Sequence, residues 1–427
     1  MWPQTHSSAL TIAATAVPLA VLGGIDAANP TRRLGCTLAV LTMNRSESQP
    51  AVQPTLAREW TLLDLFRTAS ARTLTRTSIA VAVAWIPLAV LSALRGGASF
   101  LSFLTDYATQ TRFLVIIPVL ILAEPQLRER LALVAHYFEA DLVPRDQWPE
   151  FQANWNSCER LRDSGLAKAV IVLLTCATAA FLSQYLSPSG SEFVEWWRGG
   201  SGFKSFSPAG LWAFFVSYTI LAYFTFLWTW RQLLWARFLR STTLLKLALI
   251  AAHPDHLGGL GFLEASIMGQ IPFSFCMGIG LAGAIANRVL HEGHSLMGYR
   301  YLAPALIVGV LLFCIGPYLF FTRTLLQMRR QGMLSYGAFA RAVGEEFEKK
   351  WLHQTGRLTE DVLLVPDFST TADLYGVVQN IDDIRIVPIG LVDLYAIVIA
   401  AVIPAIPVVI ASIPFDTLIK AAMRLLF

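Results

Sequence analysis

The feature that most constrains this chain is a series of long apolar segments with almost no charge. A helix needs roughly 20 predominantly apolar residues to cross a hydrocarbon core of about 30 Å, because each residue adds about 1.5 Å. Six segments approach or meet this length: 78–94, 169–186, 211–230, 267–286, 301–322 and 391–414. A seventh, 113–123, is short, so it predicts either a span extended back to Phe100 or a half-helix packed against its neighbours. We therefore predict an all-α polytopic transmembrane helical bundle of about seven spans.

Composition supports this prediction. Of the 427 residues, 55% are apolar and 15% are charged, whereas a soluble domain has roughly 45–50% apolar and about 25% charged residues. The net charge of +4 is too small to indicate a nucleic-acid partner, and the five cysteines include no CxxC pair that would indicate zinc. The expected partner is therefore the lipid bilayer. No cofactor is indicated, and the sequence leaves homo-oligomerisation open.

The distribution of Lys and Arg tests the number of spans independently. With seven spans, counted from Arg58, the loops predicted to lie inside contain four, six, four and eight basic residues, and those predicted to lie outside contain two each. Cytoplasmic loops of membrane proteins carry this excess of positive charge. The alternation would be lost if one span were miscounted. It places the chain before Ser78 inside and the extreme C-terminus outside.

The chain divides into four predicted parts: an N-terminal extension (1–58), a membrane domain with six spans (59–322), a cytoplasmic helical loop (323–385) and a last span with an amphipathic tail (386–427). The loop contains two amphipathic helices, YGAFARAVGEEFEKKWLHQ and STTADLYGVVQNIDDI, the second with Ser369, Thr370 or Thr371 as its N-cap.

Three interpretations of the N-terminal extension stay open. Residues Ala9–Gly24 form an eighth span, or they form a cleaved signal segment, although no basic stretch precedes them. Alternatively, translation starts at Met43, an interpretation that the polar sequence MNRSESQPAVQPTLAREW favours.

The densest group of ionisable side chains is His253, Asp255 and His256 in HPDHLGGLGFLE, with Glu264 at its end. Imidazole and carboxylate groups at this spacing are typical of metal ligands or of proton carriers near neutral pH. The structural alternative is a turn in which Pro254 fixes the backbone, Asp255 caps the following helix and the glycines allow close packing. No HExxH spacing is present, so the turn is the favoured interpretation.

Ionisable residues at membrane depth cost about 2.5–3.5 kcal/mol each, so they are candidates for function. The sequence places four near or within spans: Asp106, Arg112, Glu124 and Asp393. Asp106 and Arg112 are six residues apart and share no helical face. Glu124 is predicted to reach the interface, with Pro125 ending the helix. The centres of the six long segments carry no charge, which disfavours a proton-coupled pump or a charged pore.

Several segments between Glu59 and Phe427 resemble a family of uncharacterised bacterial polytopic inner-membrane proteins. They include RFLVIIPVLILAEPQLRERL, HPDHLGGLGFLE, YGAFARAVGEEFEKKW and ADLYGVVQNIDDIRIVPI, and HPDxxGGLGFL is the most specific of them. The resemblance implies a location in the bacterial inner membrane. It implies no activity, substrate or site residue.

Three functional hypotheses follow. At least seven spans, proline-containing helices and the absence of a GxxxxGK[ST] motif favour a transporter or channel-like protein for an ion or small solute. The alternatives are a membrane-embedded enzyme that uses His253, Asp255 and His256, and a scaffold or sensor that acts through the cytoplasmic loop 323–385.

Overall fold

The computed structural model describes residues 69–185, 196–197, 206–352 and 367–412. The interpretations of residues 1–58 and of the tail after Ser412 lie outside the described residues. Every regular element in the described part is a helix, so the predicted all-α class is confirmed. Six of these helices are long and apolar enough to cross a bilayer, so the chain is a multi-pass membrane protein.

The described helices are α1 (Ala71–Arg95), α2 (Gly97–Leu104), α3 (Tyr107–Leu142), α4 (Trp148–Asp163), α5 (Gly165–Tyr185), α6 (Pro208–Thr242), α7 (Gly261–Leu290), α8 (Leu296–Trp351), α9 (Asp367–Asp382) and α10 (Leu391–Ser412). The six long apolar helices are α1, α3, α6, α7, α8 and α10. Helix α5 is apolar over Gly165–Thr178 and overlaps the predicted span 169–186, so the count of seven spans stays a prediction.

Helix α3 corrects two expectations. The short segment 113–123 is the middle of a 36-residue helix, and Pro125 lies inside that helix instead of ending it. A proline is tolerated in a membrane helix because neighbouring groups and local changes of helix type satisfy the freed backbone. Helix α3 contains such changes, in the π-type segments Thr111–Ile116 and Phe138–Leu142. All residues from Ile117 to Ala123 are buried, so this helix forms the centre of the bundle.

Helix α8 also differs from the prediction. The span 301–322 and the first amphipathic helix of the loop form one element, and the predicted boundary at residue 322 falls inside it. Helix α9 packs along the second half of α8, where Arg329 lies 2.7 Å from Asp382 and Lys350 pairs with Asp367. It begins at Asp367, before the predicted N-cap residues. We call this pair the α8–α9 hairpin.

We call the end of the bundle where α3 and α6 finish and α7 and α10 start the inner end, which the basic loops predict to be cytoplasmic. Two helices are interrupted towards this end. Helix α7 has a break at Gly269 and Gln270, and α8 has a 3₁₀ segment over Gly316–Phe321. Helices α7 and α10 touch through their backbones at Gly278, where an added Cβ would lie 2.0 Å from the carbonyl oxygen of Ala401.

Candidate functional site

The carboxylate of Asp255 organises the loop between α6 and α7, which we call the HPDH loop (residues 253–261). Its oxygens accept hydrogen bonds from the backbone N–H groups of Leu257 at 2.8 Å, Gly259 at 3.0 Å and Gly261 at 3.0 Å. The Nδ1 atom of His253 lies 2.8 Å from Asp255 Oδ1. Burial raises the pKa of Asp255, but these hydrogen bonds lower it more, so the pKa lies below its usual range. The structure contains the predicted turn, but Asp255 is not the N-cap of α7: the helix starts at Gly261 after Leu260, and Asp255 reaches it through the Gly261 N–H.

Three residues of the HPDH loop have positive φ angles, His256, Gly258 and Gly259, and the first two dock the loop onto the α8–α9 hairpin. Gly258 has φ +70°, and a Cβ there would lie 2.5 Å from Met328 Sδ of α8. His256 has φ 54°, which is unusual for a residue other than glycine. Its carbonyl accepts a hydrogen bond from the Arg385 N–H at 3.0 Å, and its Nδ1 lies 3.3 Å from the carbonyl oxygen of Asn380. His256 therefore joins the bundle to the hairpin.

Glu264 and Asp393, which the sequence places in unrelated segments, come together at the inner end. Asp393 is 3% exposed and accepts a hydrogen bond from the Gly390 N–H at 3.2 Å. A Cβ on Gly390 would lie 3.1 Å from an oxygen of each carboxylate, so glycine allows both to approach. Arg385 lies 3.7 Å from Glu264 Oε1. We call Glu264, Asp393 and Arg385 the acidic mouth.

A second polar group lies deeper in the bundle, where Gln232 of α6 meets Gln270 at the break in α7. Gln232 is 4% exposed and donates through Nε2 to the carbonyl oxygen of Phe313 in α8 at 2.9 Å. Gln270 is 1% exposed and donates through Nε2 to Gln232 Oε1 at 2.8 Å. We call these two residues the amide pair. The sequence places Gln270 among the polar residues of a span, but Gln232 in TWRQLLW carries no signal of its own.

Buried hydroxyl and indole groups lie between the acidic mouth and the amide pair along α7. The Tyr318 hydroxyl donates to Ser266 Oγ at 2.8 Å and accepts a hydrogen bond from Trp235 Nε1 at 3.2 Å. Ser266 follows Glu264 by two residues and precedes Gln270 by four in α7. We call the row of polar side chains from the acidic mouth through Ser266 and Tyr318 to the amide pair the polar path.

An aromatic stack lies beyond the amide pair on the outer side. The rings of Phe273 and Phe313 stack with centroids 4.7 Å apart, and Trp228 stacks on Phe273 at 5.8 Å. Phe273 is three residues after Gln270 in α7, and Trp228 is four residues before Gln232 in α6, about one helical turn away in each case. The polar path therefore ends at three packed rings.

The other predicted ionisable residues lie elsewhere. At the outer end, Asp106 is the N-cap of α3 and accepts hydrogen bonds from Asn287 Nδ2 at 2.7 Å and Trp196 Nε1 at 3.2 Å. Arg112 donates to the Tyr218 hydroxyl at 2.8 Å. These contacts hold α3, α6 and α7 together at that end.

Glu124 forms an ion pair with Arg231, which joins α3 to α6. Glu124 is therefore a partner in a helix contact and does not mark the end of α3. Among the residues that the structure describes, no group of three or more His, Cys, Asp and Glu side chains is placed to hold a metal ion.

Comparison of the chain with protein-family models, with curated protein sequences and with solved structures finds no match.

Proposed function

We propose that the chain is a transport protein for a small solute, located in the bacterial inner membrane, and that the polar path from the acidic mouth to the amide pair is its solute site. The observation that supports this proposal most is the position of the amide pair. It lies at the break in α7 and contacts α8 next to its 3₁₀ segment. Transporters bind solutes where membrane helices are interrupted, because broken helices leave polar backbone groups available.

The depth of the amide pair fits a solute site. Gln270 follows the start of α7 by nine residues and precedes its end by twenty. These spacings correspond to about 14 Å from the inner end of the helix and about 30 Å from the outer end. The pair is thus buried well inside the bundle and lies closer to the inner end than to the outer end.

The aromatic stack separates the amide pair from the outer side of the bundle, as a solute site that opens to one side at a time requires. Its three rings come from α6, α7 and α8, the same helices that carry or contact the amide pair. A shift of α7 at Gly269 would move Phe273 relative to Trp228 and Phe313. We propose that this movement exposes the amide pair to the outer side.

The two alternative functions receive different support. The enzyme hypothesis loses support because the oxygens of Asp255 are engaged by the backbone of their own loop. The scaffold or sensor hypothesis gains a specific observation, since the α8–α9 hairpin is attached to the bundle through His256. A protein that co-purifies with the chain and is lost when loop 323–385 is altered would favour that second function.

The test of the proposed function is solute movement into liposomes that contain the purified full-length protein. The panel should include monovalent cations, small amines, neutral polyols and small carboxylates, each compared with protein-free liposomes. We expect at least one solute to enter faster with protein present. If every solute crosses at the protein-free rate, whichever way the protein is oriented in the liposome membrane, the proposal is wrong.

A further inference from the structure

The orientation of the two amide groups is fixed by their surroundings. The nitrogen of Gln232 must face α8, because two backbone carbonyl groups lie there, those of Phe313 at 2.9 Å and Cys314 at 3.4 Å. Its oxygen then needs a donor, and the nitrogen of Gln270 supplies one at 2.8 Å. The oxygen of Gln270 is consequently the one polar atom of the two amide groups that takes no part in these hydrogen bonds.

Among the described residues, Gln270 Oε1 is buried and has no hydrogen-bond partner. A buried acceptor that is left unpaired costs about 1–3 kcal/mol. Several other buried side-chain atoms in the described part of the chain share this property, among them Ser92 Oγ, Thr322 Oγ1 and Asn287 Oδ1. Gln270 differs because it lies at a helix break, on the polar path and next to the aromatic stack. The site therefore lacks one component, a hydrogen-bond donor.

The charges at the inner end add a second requirement. The carboxylates of Glu264 and Asp393 face Arg385, so carboxylates exceed guanidinium groups at the acidic mouth. Of two other cations near this end, Arg231 pairs with Glu124, whereas Arg130 donates to the carbonyl oxygen of Ala265, next to Glu264, and keeps its charge there. Asp255 also interacts electrostatically with Glu264, so three carboxylates face two guanidinium groups. A cation is thus attracted to the path and an anion is disfavoured.

The aromatic stack adds a third requirement, which concerns the chemical class of the cation. Aromatic rings attract ammonium groups when water is excluded. Trp228 and Phe273 lie about one turn from the amide pair, and Phe313 carries the carbonyl that Gln232 bonds. From these three features, and resting on the proposed transport function, we infer that the amide pair binds a small cation of the ammonium or primary-amine class. Its N–H group donates to Gln270 Oε1.

The test uses methylammonium as the probe with purified full-length protein in detergent. We expect methylammonium to raise the melting temperature in a saturable manner. Tetramethylammonium, which has the same charge but no N–H donor, should produce little or no shift. Equal stabilisation by both cations, or none by methylammonium at tens of millimolar, would overturn the inference.

Variants locate the site. Gln270→Met keeps the approximate volume but removes the acceptor, so methylammonium should bind roughly tenfold more weakly or worse. Gln270→Asn keeps both the amide donor for Gln232 and the acceptor for the ligand, so it should bind methylammonium more tightly than Gln270→Met does, which guards against a Met variant that fails to fold. Gln110→Met is the matched control, because Gln110 is a partly buried amide at the outer end that bonds Trp85 and the backbone of Phe103. Its affinity for methylammonium should equal that of the wild type, and an equal loss in Gln110→Met and Gln270→Met would contradict the assignment.

The outcome separates this inference from the proposed function. If the liposome panel shows movement of another solute and methylammonium does not bind, the ammonium assignment fails and transport stands. If methylammonium binds in a Gln270-dependent manner but no solute moves, the binding site stands and transport fails.

Discussion

The HPDH loop and the amide pair are both polar, yet their hydrogen bonding is opposite in character. In the loop, the carboxylate of Asp255 is surrounded by backbone donors and by His253. In the amide pair, one acceptor of Gln270 has no partner in the described part of the chain. A polar group whose partners are all supplied by its own loop stabilises that loop. A polar group that lacks a partner is where a ligand can contribute binding energy.

The comparison also shows that the residues that stand out in a sequence need not be those whose hydrogen-bonding groups are free to bind a ligand. Three ionisable residues stand together in HPDH, whereas Gln232 and Gln270 are far apart in sequence and carry no charge. We therefore expect substitutions in the two regions to affect different properties, stability for the loop and solute recognition for the amide pair.

The largest expected effect on stability comes from Asp255→Ala. The substitution leaves three backbone N–H groups without their acceptor, which should lower the free energy of unfolding by on the order of 3 kcal/mol. Thermal melting in detergent measures this loss. His253→Ala is the control, since it removes only one partner of the same carboxylate and should cost clearly less. Equal losses in the two variants would contradict the central role of Asp255.

Gln232→Leu should have the next largest effect. It removes the donor to the Phe313 carbonyl and the acceptor for Gln270, at a cost of about 2 kcal/mol. The double variant Gln232→Leu plus Gln270→Leu should cost less than the sum of the single variants, because each single change leaves the other amide unpaired. Thermal melting of the wild type and the three variants gives the coupling. Strict additivity would show that the two amides do not act as a pair.

The pH dependence of stability should report on Asp255. A carboxyl whose pKa is lower in the folded protein than in the unfolded chain stabilises the folded state at any pH above the unfolded-state pKa. This stabilisation is lost as the pH falls through the folded-state pKa. The ordinary pKa of an aspartate is 3.8, so we expect the loss to begin near pH 4 and to continue below it. Melting of wild type and Asp255→Asn across this range measures it. The variant should show a smaller decrease, and parallel curves would contradict the assignment.

The smallest expected effect is that of His256→Gly. Glycine adopts the positive φ of this position without strain, which offsets the lost contact with the carbonyl of Asn380, so stability should stay within about 1 kcal/mol of the wild type. His256→Val is the matched variant, and it should be clearly less stable because a β-branched residue resists this conformation. If both variants are equally unstable, the imidazole and not the backbone conformation is what the position requires.

Much of the fold follows from the sequence because long apolar segments admit few structures in a bilayer. The class follows in this way, and α1, α6, α7, α8 and α10 overlap segments predicted as full spans, whereas α3 is present in the prediction only as the short segment 113–123. The continuity of α3 through Pro125 is not predictable from hydropathy, because it depends on neighbouring helices that satisfy the backbone. The same is true of the extent of α8, whose charged second half is stabilised by α9.

The candidate site was predictable only in part. The turn at Asp255 follows from the Pro and Gly residues around it, and the structure contains it. The approach of Glu264 to Asp393 depends on how α7 and α10 pack, and the pairing of Gln232 with Gln270 depends on how α6 meets α7. No local pattern in one sequence records such contacts between distant helices.

The most direct test of the proposed division of roles is the initial rate of methylammonium uptake into liposomes, measured side by side for wild type, Gln270→Met and His253→Ala. The account predicts that His253→Ala transports at the wild-type rate when equal amounts of folded protein are compared, and that Gln270→Met loses most of the uptake. The reverse result, with normal uptake by Gln270→Met and none by His253→Ala, would contradict it and place the chemistry in the HPDH loop.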